Sequence, residues 1–169
     1  CAASCWLTKS CSTFMLIIRA QHYLYIHPPR FLPNLLFVHA EASAPGRWIY
    51  VTSAAEAHAS LAAAKARITF CGHVHVPQLY CMTAAGKVVS HTPAPMAPVP
   101  LAEHRQWLAV MGSAGQPRDG NPAAALATYD TESRQLTYRR APYDVEAAAA
   151  KVRAAGLPEA LAVRLLQGK

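Results

Sequence analysis

Three histidines have the side chains and the spacing that metal binding requires. His73 and His75 are separated by one residue within the segment CGHVHVP, which occupies residues 71–77, and His39 lies earlier in the chain. Neutral imidazole nitrogens are ligands for divalent metal ions. The two closely spaced histidines are therefore predicted to bind one metal ion together, or one ion each of a close pair. A pair of partly exposed loop histidines has the same spacing and is the alternative interpretation.

Both histidine positions are predicted to follow buried strands. Residues 35–38 are an apolar run that ends at the earlier histidine, and residues 67–71 are a second short run that ends at Gly72. If the chain stays extended after Gly72, the side chains of His73 and His75 project to the same side. Gly72 is expected to supply the backbone freedom for a turn close to a ligand.

The predicted order of elements is that of an α/β fold, in which ligands bind beyond the carboxyl ends of the strands. A helix over residues 54–65 is expected between the two strands, because Ser53 and Glu56 have the spacing of a capping box and alanine follows repeatedly. The apolar segment at 48–51 is either a short strand or a packing segment. The remaining predicted elements are a hairpin of strands 78–82 and 87–90, an extended loop at 91–100, a strand at 106–111, a hairpin of strands 124–129 and 135–139, a helix capped by Asp144 that ends near 155, and a final helix at 158–166.

A loop rich in glycine, at residues 112–120, is a second candidate for ligand contact. Gln116 and Arg118 lie between its glycines. Successive backbone N–H groups in such a loop can bind an anion. Gln116 and Arg118 are therefore candidate phosphate-binding residues, and a plain tight turn is the alternative.

The composition is that of one globular domain. Of 169 residues, 53% are apolar and 15% are charged, which disfavours a disordered chain. The formal net charge is +7, but the basic residues are scattered, and the densest cluster is Arg134, Arg139 and Arg140. A nucleic-acid partner is therefore not expected. The positive net charge suits a substrate that carries phosphate, such as a small phosphate ester or a nucleotide. The alternative explanation of the charge is the small number of acidic residues.

The cysteines and the apolar runs indicate the cytoplasm. The 5 cysteines include no C-x-x-C pair, so free thiols in a reducing compartment are predicted. The apolar run at residues 14–18 ends at Arg19 and is too short to span a bilayer. No membrane association is therefore expected.

Residues 1–36 differ from the rest of the chain. They contain no Asp and no Glu, and Pro28, Pro29 and Pro33 interrupt them. We predict that residues 1–36 are an atypical and poorly structured segment, and that residues 37–169 form the domain.

The segments around His39, residues 71–77 and residues 112–120 resemble, in order and spacing, the C-terminal half of the calcineurin-like metallophosphoesterase family. The bacterial phosphodiesterases and diadenosine-tetraphosphatase-like members are the most similar. This resemblance implies part of a four-layer α/β/β/α sandwich with two divalent metal ions (Mn, Fe, Zn or Mg) at the strand ends. It implies that His39 and His73 share the second metal and that His75 binds the first.

The family's carboxylate motifs (D-x-H, G-D-x-x-D and G-N-H) have no counterpart upstream of His39, because the first acid is Glu41 and the first aspartate is Asp119. We therefore expect a truncated or frame-altered chain, a C-terminal half behind unrelated sequence, whose uncovered sheet face allows self-association. Metal-dependent hydrolysis of phosphate mono- or diesters is the predicted function. A non-catalytic remnant, in which the three histidines bind a single metal ion, and a basic phosphate- or nucleic-acid-binding module are the alternatives.

Overall fold

The computed structural model of this protein describes residues 5–6, 13–16 and 35–169, the first two ranges as backbone strands. Most of the predicted N-terminal segment 1–36 therefore lies outside the described residues, and the domain boundary after residue 36 stays a prediction. The strands of the described residues are β1 (Cys5–Trp6), β2 (Thr13–Leu16), β3 (Leu35–Phe37), β4 (Ile68–Cys71), β5 (Gln78–Met82), β6 (Val88–His91), β7 (Pro98–Pro100), β8 (Gln106–Val110), β9 (Ala124–Asp130) and β10 (Gln135–Ala141). The helices are α1 (Ala54–Ala64), α2 (Val145–Ala154) and α3 (Glu159–Gln167).

The first sheet has the strand order β3-β4-β8-β5-β6 and carries the histidines. Its strands β3, β4 and β8 are parallel, so their carboxyl ends meet at one edge. Strand β4 is buried along its whole length, as a central parallel strand with both faces covered should be. The loops that follow β3, β4 and β8 therefore leave the sheet side by side, and they contain all five predicted site residues.

The second sheet has the order β1-β2-β9-β10-β7 and is antiparallel. Alternate residues of β9 and β10 are buried, which is the pattern of a sheet with one face on the core. Those inward residues pack against the first sheet, where the two sheets enclose an apolar layer that includes Phe70, Trp107, Tyr129 and Leu136. The other face of the first sheet is covered by α1 through Ala57 and Leu61, which are fully buried.

This arrangement confirms the predicted fold class, part of an α/β sandwich of two sheets and helices. One local prediction is wrong in part, because the segment at 91–100, expected as an extended loop, contains β7, which pairs with β10. The segment at 48–51 forms no strand, which leaves the alternative of a packing segment. Proline is compatible with β7 because this strand lies at the edge of its sheet and needs few N–H donors. Self-association through an exposed sheet face stays a prediction. Among the described residues, no helix is both long and apolar enough to cross a membrane.

Helix α1 begins with the predicted capping box. Ser53 Oγ accepts the N–H of Glu56, and Glu56 Oε2 accepts the N–H groups of Thr52 and Ser53, at 2.7 and 2.8 Å. The hydrogen bond from Thr52 is the largest cause of a lowered pKa of the Glu56 carboxyl. The capping box fixes the start of the helix directly behind the segment that carries Trp48 and Tyr50.

We expect Glu56→Ala to lower the free energy of unfolding by about 1 kcal/mol at pH 7. Because the folded pKa of Glu56 lies below its ordinary value of 4.5, its stabilising contribution is present above that pH. It is lost as the pH falls through the folded pKa. Urea unfolding of the parent and the variant at a series of pH values checks this, and an equal difference in stability at pH 7 and at strongly acid pH would contradict it.

Candidate metal centre

His39 and His73 lie together because backbone hydrogen bonds join the loops after β3 and β4. The N–H of Val38 donates to the carbonyl of Phe70, and the N–H of Gly72 donates to the carbonyl of His39, both at 3.0 Å. These bonds extend the parallel pairing of the two strands beyond their ends. As a result His39 Nε2 and His73 Nδ1 are 3.0 Å apart.

This distance tests whether the two histidines fit a metal ion. Two nitrogen atoms that each lie about 2.1 Å from one ion can be no more than about 4.2 Å apart, and the observed separation is within that limit. Without an ion, one ring must donate its N–H to the other, because two lone pairs at 3.0 Å repel. The pair therefore fits two neighbouring ligand positions of one divalent cation.

The backbone of the histidine segment differs from the prediction. His73 and His75 have φ values of 63° and 68°, in the left-handed region, so the chain is not extended after Gly72. The N–H of Val74 donates to the carbonyl of Gly72 at 2.7 Å, which closes a three-residue turn around His73. The unusual angles thus fall on the two histidines, where they cost energy, and not on Gly72, the residue expected to supply them.

His75 is fixed by the loop at residues 112–120. Its Nδ1–H donates to the carbonyl oxygen of Gln116 at 2.8 Å, which leaves Nε2 with its lone pair free for a ligand. The N–H of Arg118 donates to the carbonyl of His75 at 3.2 Å. The Arg118 guanidinium in turn donates to Gln116 Oε1 at 3.1 Å. The structure therefore places both candidate phosphate-binding residues beside His75.

The same loop is anchored at both ends. Gly112 has φ +78°, and a Cβ atom there would lie 2.8 Å from Ala125 Cβ and 2.8 Å from Pro77 Cγ. Arg140 pairs with Asp119, and the N–H of Gly120 donates to the carbonyl of Gly168 at the end of α3. Packing against β9, the histidine segment and the final helix therefore holds the loop in place.

All three histidines are held in the neutral state that metal binding needs. Burial is the main cause of a lowered pKa at each of them. The neighbouring histidines lower the pKa of His39 further, and Arg118 lowers the pKa of His73 and of His75. Their lone pairs are consequently available at neutral pH.

Two other potential ligands near the site are occupied or protonated. Burial, followed by the charge of Glu41, raises the pKa of the Cys71 thiol to about 12, so this thiol is protonated at neutral pH. The carboxylate of Glu41 is buried and accepts the N–H and Oγ–H of Ser43, both at 2.7 Å, and the N–H of Ala44 at 3.1 Å. Its role is to fold the loop after His39.

The sequence interpretation did not identify the aromatic neighbours of the histidines. Tyr50 stacks on His73 with ring centroids 4.2 Å apart and planes at 20°, and Trp48 contacts His39 at 4.7 Å and His73 at 5.5 Å. Both aromatic side chains are exposed, Trp48 to 42% and Tyr50 to 45%. The one available signal was two aromatic residues in an apolar segment close behind His39, which we interpreted as a strand or packing segment.

The histidines do not form one three-ligand cluster. Within residues 35–169, no group of three or more His, Cys, Asp and Glu side chains converges on a point that can hold a metal ion. His39 and His73 form a pair, and His75 lies near enough to influence the pKa of His39. The geometry of a single ion bound by all three histidines is therefore not present in this part of the chain.

No family model matches the chain. An uncharacterized protein of Methanocaldococcus jannaschii is 31% identical over 102 residues, which are 60% of this chain and 40% of that protein. A metallophosphoesterase from Sphaerobacter thermophilus is 30% identical, with a TM-score of 0.72 over 81% of this chain and 56% of the other. A hypothetical protein from Pyrococcus horikoshii is similar in fold, at 14% identity, with a TM-score of 0.58 over 83% of this chain and 49% of the other.

The chain thus spans between two fifths and three fifths of the length of these relatives. The metallophosphoesterase structure supports the resemblance that the histidine and glycine segments indicated, at the level of the superfamily. The described part of this chain has a fold similar to part of a metallophosphoesterase.

Proposed function

We propose that this chain contributes to the metal-dependent hydrolysis of phosphate esters. The observation that carries the proposal is the convergence of His39 Nε2 and His73 Nδ1 at 3.0 Å beyond the carboxyl ends of two parallel strands. The similarity to a metallophosphoesterase supports it. Within that superfamily we assign the chain to the calcineurin-like family, next to the bacterial phosphodiesterases and diadenosine-tetraphosphatase-like members.

In this proposal His39 and His73 bind one divalent ion and His75 binds a second. The donor set, neutral imidazole nitrogens, is compatible with manganese, iron or zinc, and less so with magnesium, which prefers oxygen. Divalent ions at such a site neutralise phosphoryl charge and make bound water acidic near neutral pH. The hydrogen bond from His75 to Gln116 keeps the Nε2 lone pair of His75 available.

Arg118 is proposed to hold the phosphate group of the substrate. Its side chain is exposed beside His75, and its guanidinium donates to the neutral amide oxygen of Gln116 at 3.1 Å. A guanidinium fork matches phosphate oxygens in geometry and charge. Gln116 orients the arginine with its side chain and His75 with its backbone, so one residue couples the phosphate-binding and metal-binding positions.

Metal content and turnover test the proposal together. The purified chain would be dialysed, its metal measured by mass spectrometry, and its hydrolysis of bis-p-nitrophenyl phosphate followed with added Mn²⁺. Bound metal with turnover supports the proposal. One metal ion per chain without turnover would instead favour the single-metal remnant, and salt-sensitive oligonucleotide binding without metal would favour the basic module.

We expect Arg118→Ala to raise KM for a phosphate ester by roughly 10- to 100-fold, because a charge-assisted hydrogen bond contributes about 1.5–3 kcal/mol. The metal content should stay at the parental value, because the Arg118 guanidinium donates to Gln116 Oε1, which is not one of the proposed metal ligands. Arg164→Ala, at an exposed position of α3, is the matched control for loss of one positive charge. Equal KM values for the two variants would show that Arg118 does not bind the phosphate.

A further inference from the structure

We propose that Trp48 and Tyr50 form an aromatic shelf that binds a planar, unsaturated group of the substrate, such as a nucleobase or an aryl ring. The inference rests on the proposed function and adds the class of ester that the site selects. The shelf is defined as the exposed ring surfaces of these two residues. It borders His39 and His73 directly.

The first argument is the way in which the two rings are presented. Tyr50 lies nearly parallel to His73, with 20° between the planes, so one face of its ring is covered by the imidazole. The side chain is nevertheless 45% exposed, and Trp48 is 42% exposed. Other large aromatic side chains in the described part of the chain, including Phe70, Trp107 and Tyr129, are instead buried between the sheets. A flat group stacking on the shelf would recover the apolar contact that these two rings lack.

The second argument is backbone strain at the same place. Trp48 has φ 54°, a conformation that bulky residues rarely adopt. Six residues other than glycine have positive φ in the part of the chain that the structure describes, and three of them, Trp48, His73 and His75, meet at this site. Such strain persists only where surrounding contacts hold it, and it concentrates at functional positions.

The third argument is that the loop carrying the shelf is held rigidly. The buried carboxylate of Glu41 accepts three hydrogen bonds from Ser43 and Ala44, and the N–H of Glu41 donates to the carbonyl of Ile49 at 3.2 Å. Ile49 lies between the two shelf residues. The backbone that carries the two rings is therefore held before any ligand binds, which lowers the entropic cost of stacking.

Both rings touch the histidines, so stacking on a ligand must be distinguished from a purely structural role in positioning the imidazoles. The two roles differ in what they predict. A residue that only positions the imidazoles affects metal content and all ligands equally. A residue that stacks on a planar group affects only ligands that contain such a group.

The experiment measures binding of three probes to the full chain by calorimetry, with Trp fluorescence as a second readout. The probes are AMP, which has both a base and a phosphate, ribose 5-phosphate, which has no base, and adenosine, which has no phosphate. Trp48→Ala and Tyr50→Ala remove the rings, and Trp48→Phe and Tyr50→Phe keep an aromatic surface. Tyr143→Ala removes an exposed aromatic ring outside the site and is the control.

We expect AMP to bind at least about 10-fold more tightly than ribose 5-phosphate to the parent, since stacking on an aromatic ring typically gives on the order of 10- to 100-fold. This preference should disappear in both alanine variants, remain largely intact in the phenylalanine variants, and be unchanged in Tyr143→Ala. No preference in the parent, or an undiminished preference in Trp48→Ala and Tyr50→Ala, would overturn the shelf. So would alanine variants that lose metal and weaken all three probes equally.

The probes also separate this inference from the proposed function. Adenosine binding that depends on Trp48, in a chain that neither holds metal nor hydrolyses esters, would support the shelf and reject the phosphoesterase. Metal-dependent hydrolysis with no preference for AMP over ribose 5-phosphate would do the reverse.

Discussion

Replacing His73 with alanine is expected to lower the affinity of the chain for Mn²⁺ or Zn²⁺ by more than about 100-fold. Loss of a residue that only supports a ligand typically costs 10- to 100-fold, and His73 is itself proposed as a ligand. Its Nδ1 lies 3.0 Å from His39 Nε2, so its removal leaves His39 as a single nitrogen donor at that position. Calorimetric titration of the metal-free protein measures the affinity.

A pair of double variants makes this prediction specific to the geometry. If His39 and His73 hold the same ion, His39→Ala should add little to the loss already caused by His73→Ala. If His75 holds a different ion, the losses from His73→Ala and His75→Ala should be additive. His58→Ala, on the exposed face of α1, controls for removal of an imidazole. Unchanged metal affinity in His73→Ala, or a loss equal to that of His58→Ala, would refute the ligand assignment.

Much of the architecture could be predicted because the local signals agree with the packing. The short apolar runs before His39 and Gly72 are strands β3 and β4, and the spacing of Ser53 and Glu56 marks the start of α1. Asp144 caps α2 as expected, through the N–H of Ala147. In each case a few neighbouring residues determine the structure, so the sequence pattern is sufficient evidence.

The details of the site could not be predicted, because they depend on contacts between distant segments. The left-handed conformations of His73 and His75 contradict local preference and are stabilised from outside, by bonds to residues 39, 116 and 118. The stacking of Tyr50 on His73 joins two loops that are adjacent only because β3 and β4 pair in parallel. The prediction that the histidine segment continues as an extended strand was therefore wrong, because tertiary contacts determine its backbone conformation.

Tertiary packing also determines at which glycine an added Cβ atom would clash with its neighbours. Gly72 attracts attention in the sequence because it precedes the histidine pair, yet a Cβ there would meet only the His39 carbonyl, at an ordinary 3.7 Å. Gly112 follows β8 and begins the glycine-rich loop, which the sequence indicates as a candidate for ligand contact and not as a position of tight packing. It is nevertheless a crowded position, where β9 and the end of the histidine segment approach the backbone.

Gly112→Ala is accordingly expected to lower the free energy of unfolding by about 2–4 kcal/mol. Positive φ costs an alanine about 1 kcal/mol or more, and overpacking adds about 1–3 kcal/mol. The new methyl group would lie 2.8 Å from Pro77 Cγ and from Ala125 Cβ, and neither ring nor β-strand can move freely. Urea unfolding monitored by circular dichroism measures the change.

Gly86→Ala provides the matched control, because Gly86 has nearly the same φ, +76°, but no atom within 4 Å of its added Cβ. Gly86→Ala should lower the free energy of unfolding only by the contribution of the positive φ, about 1 kcal/mol. Since Pro77 lies two residues after His75, the displacement in Gly112→Ala should also weaken the bond from His75 to Gln116 and reduce metal affinity, whereas Gly86→Ala should not. Equal destabilisation by the two substitutions would mean that Pro77 and Ala125 yield without cost, and that β9 does not hold the histidine segment in place.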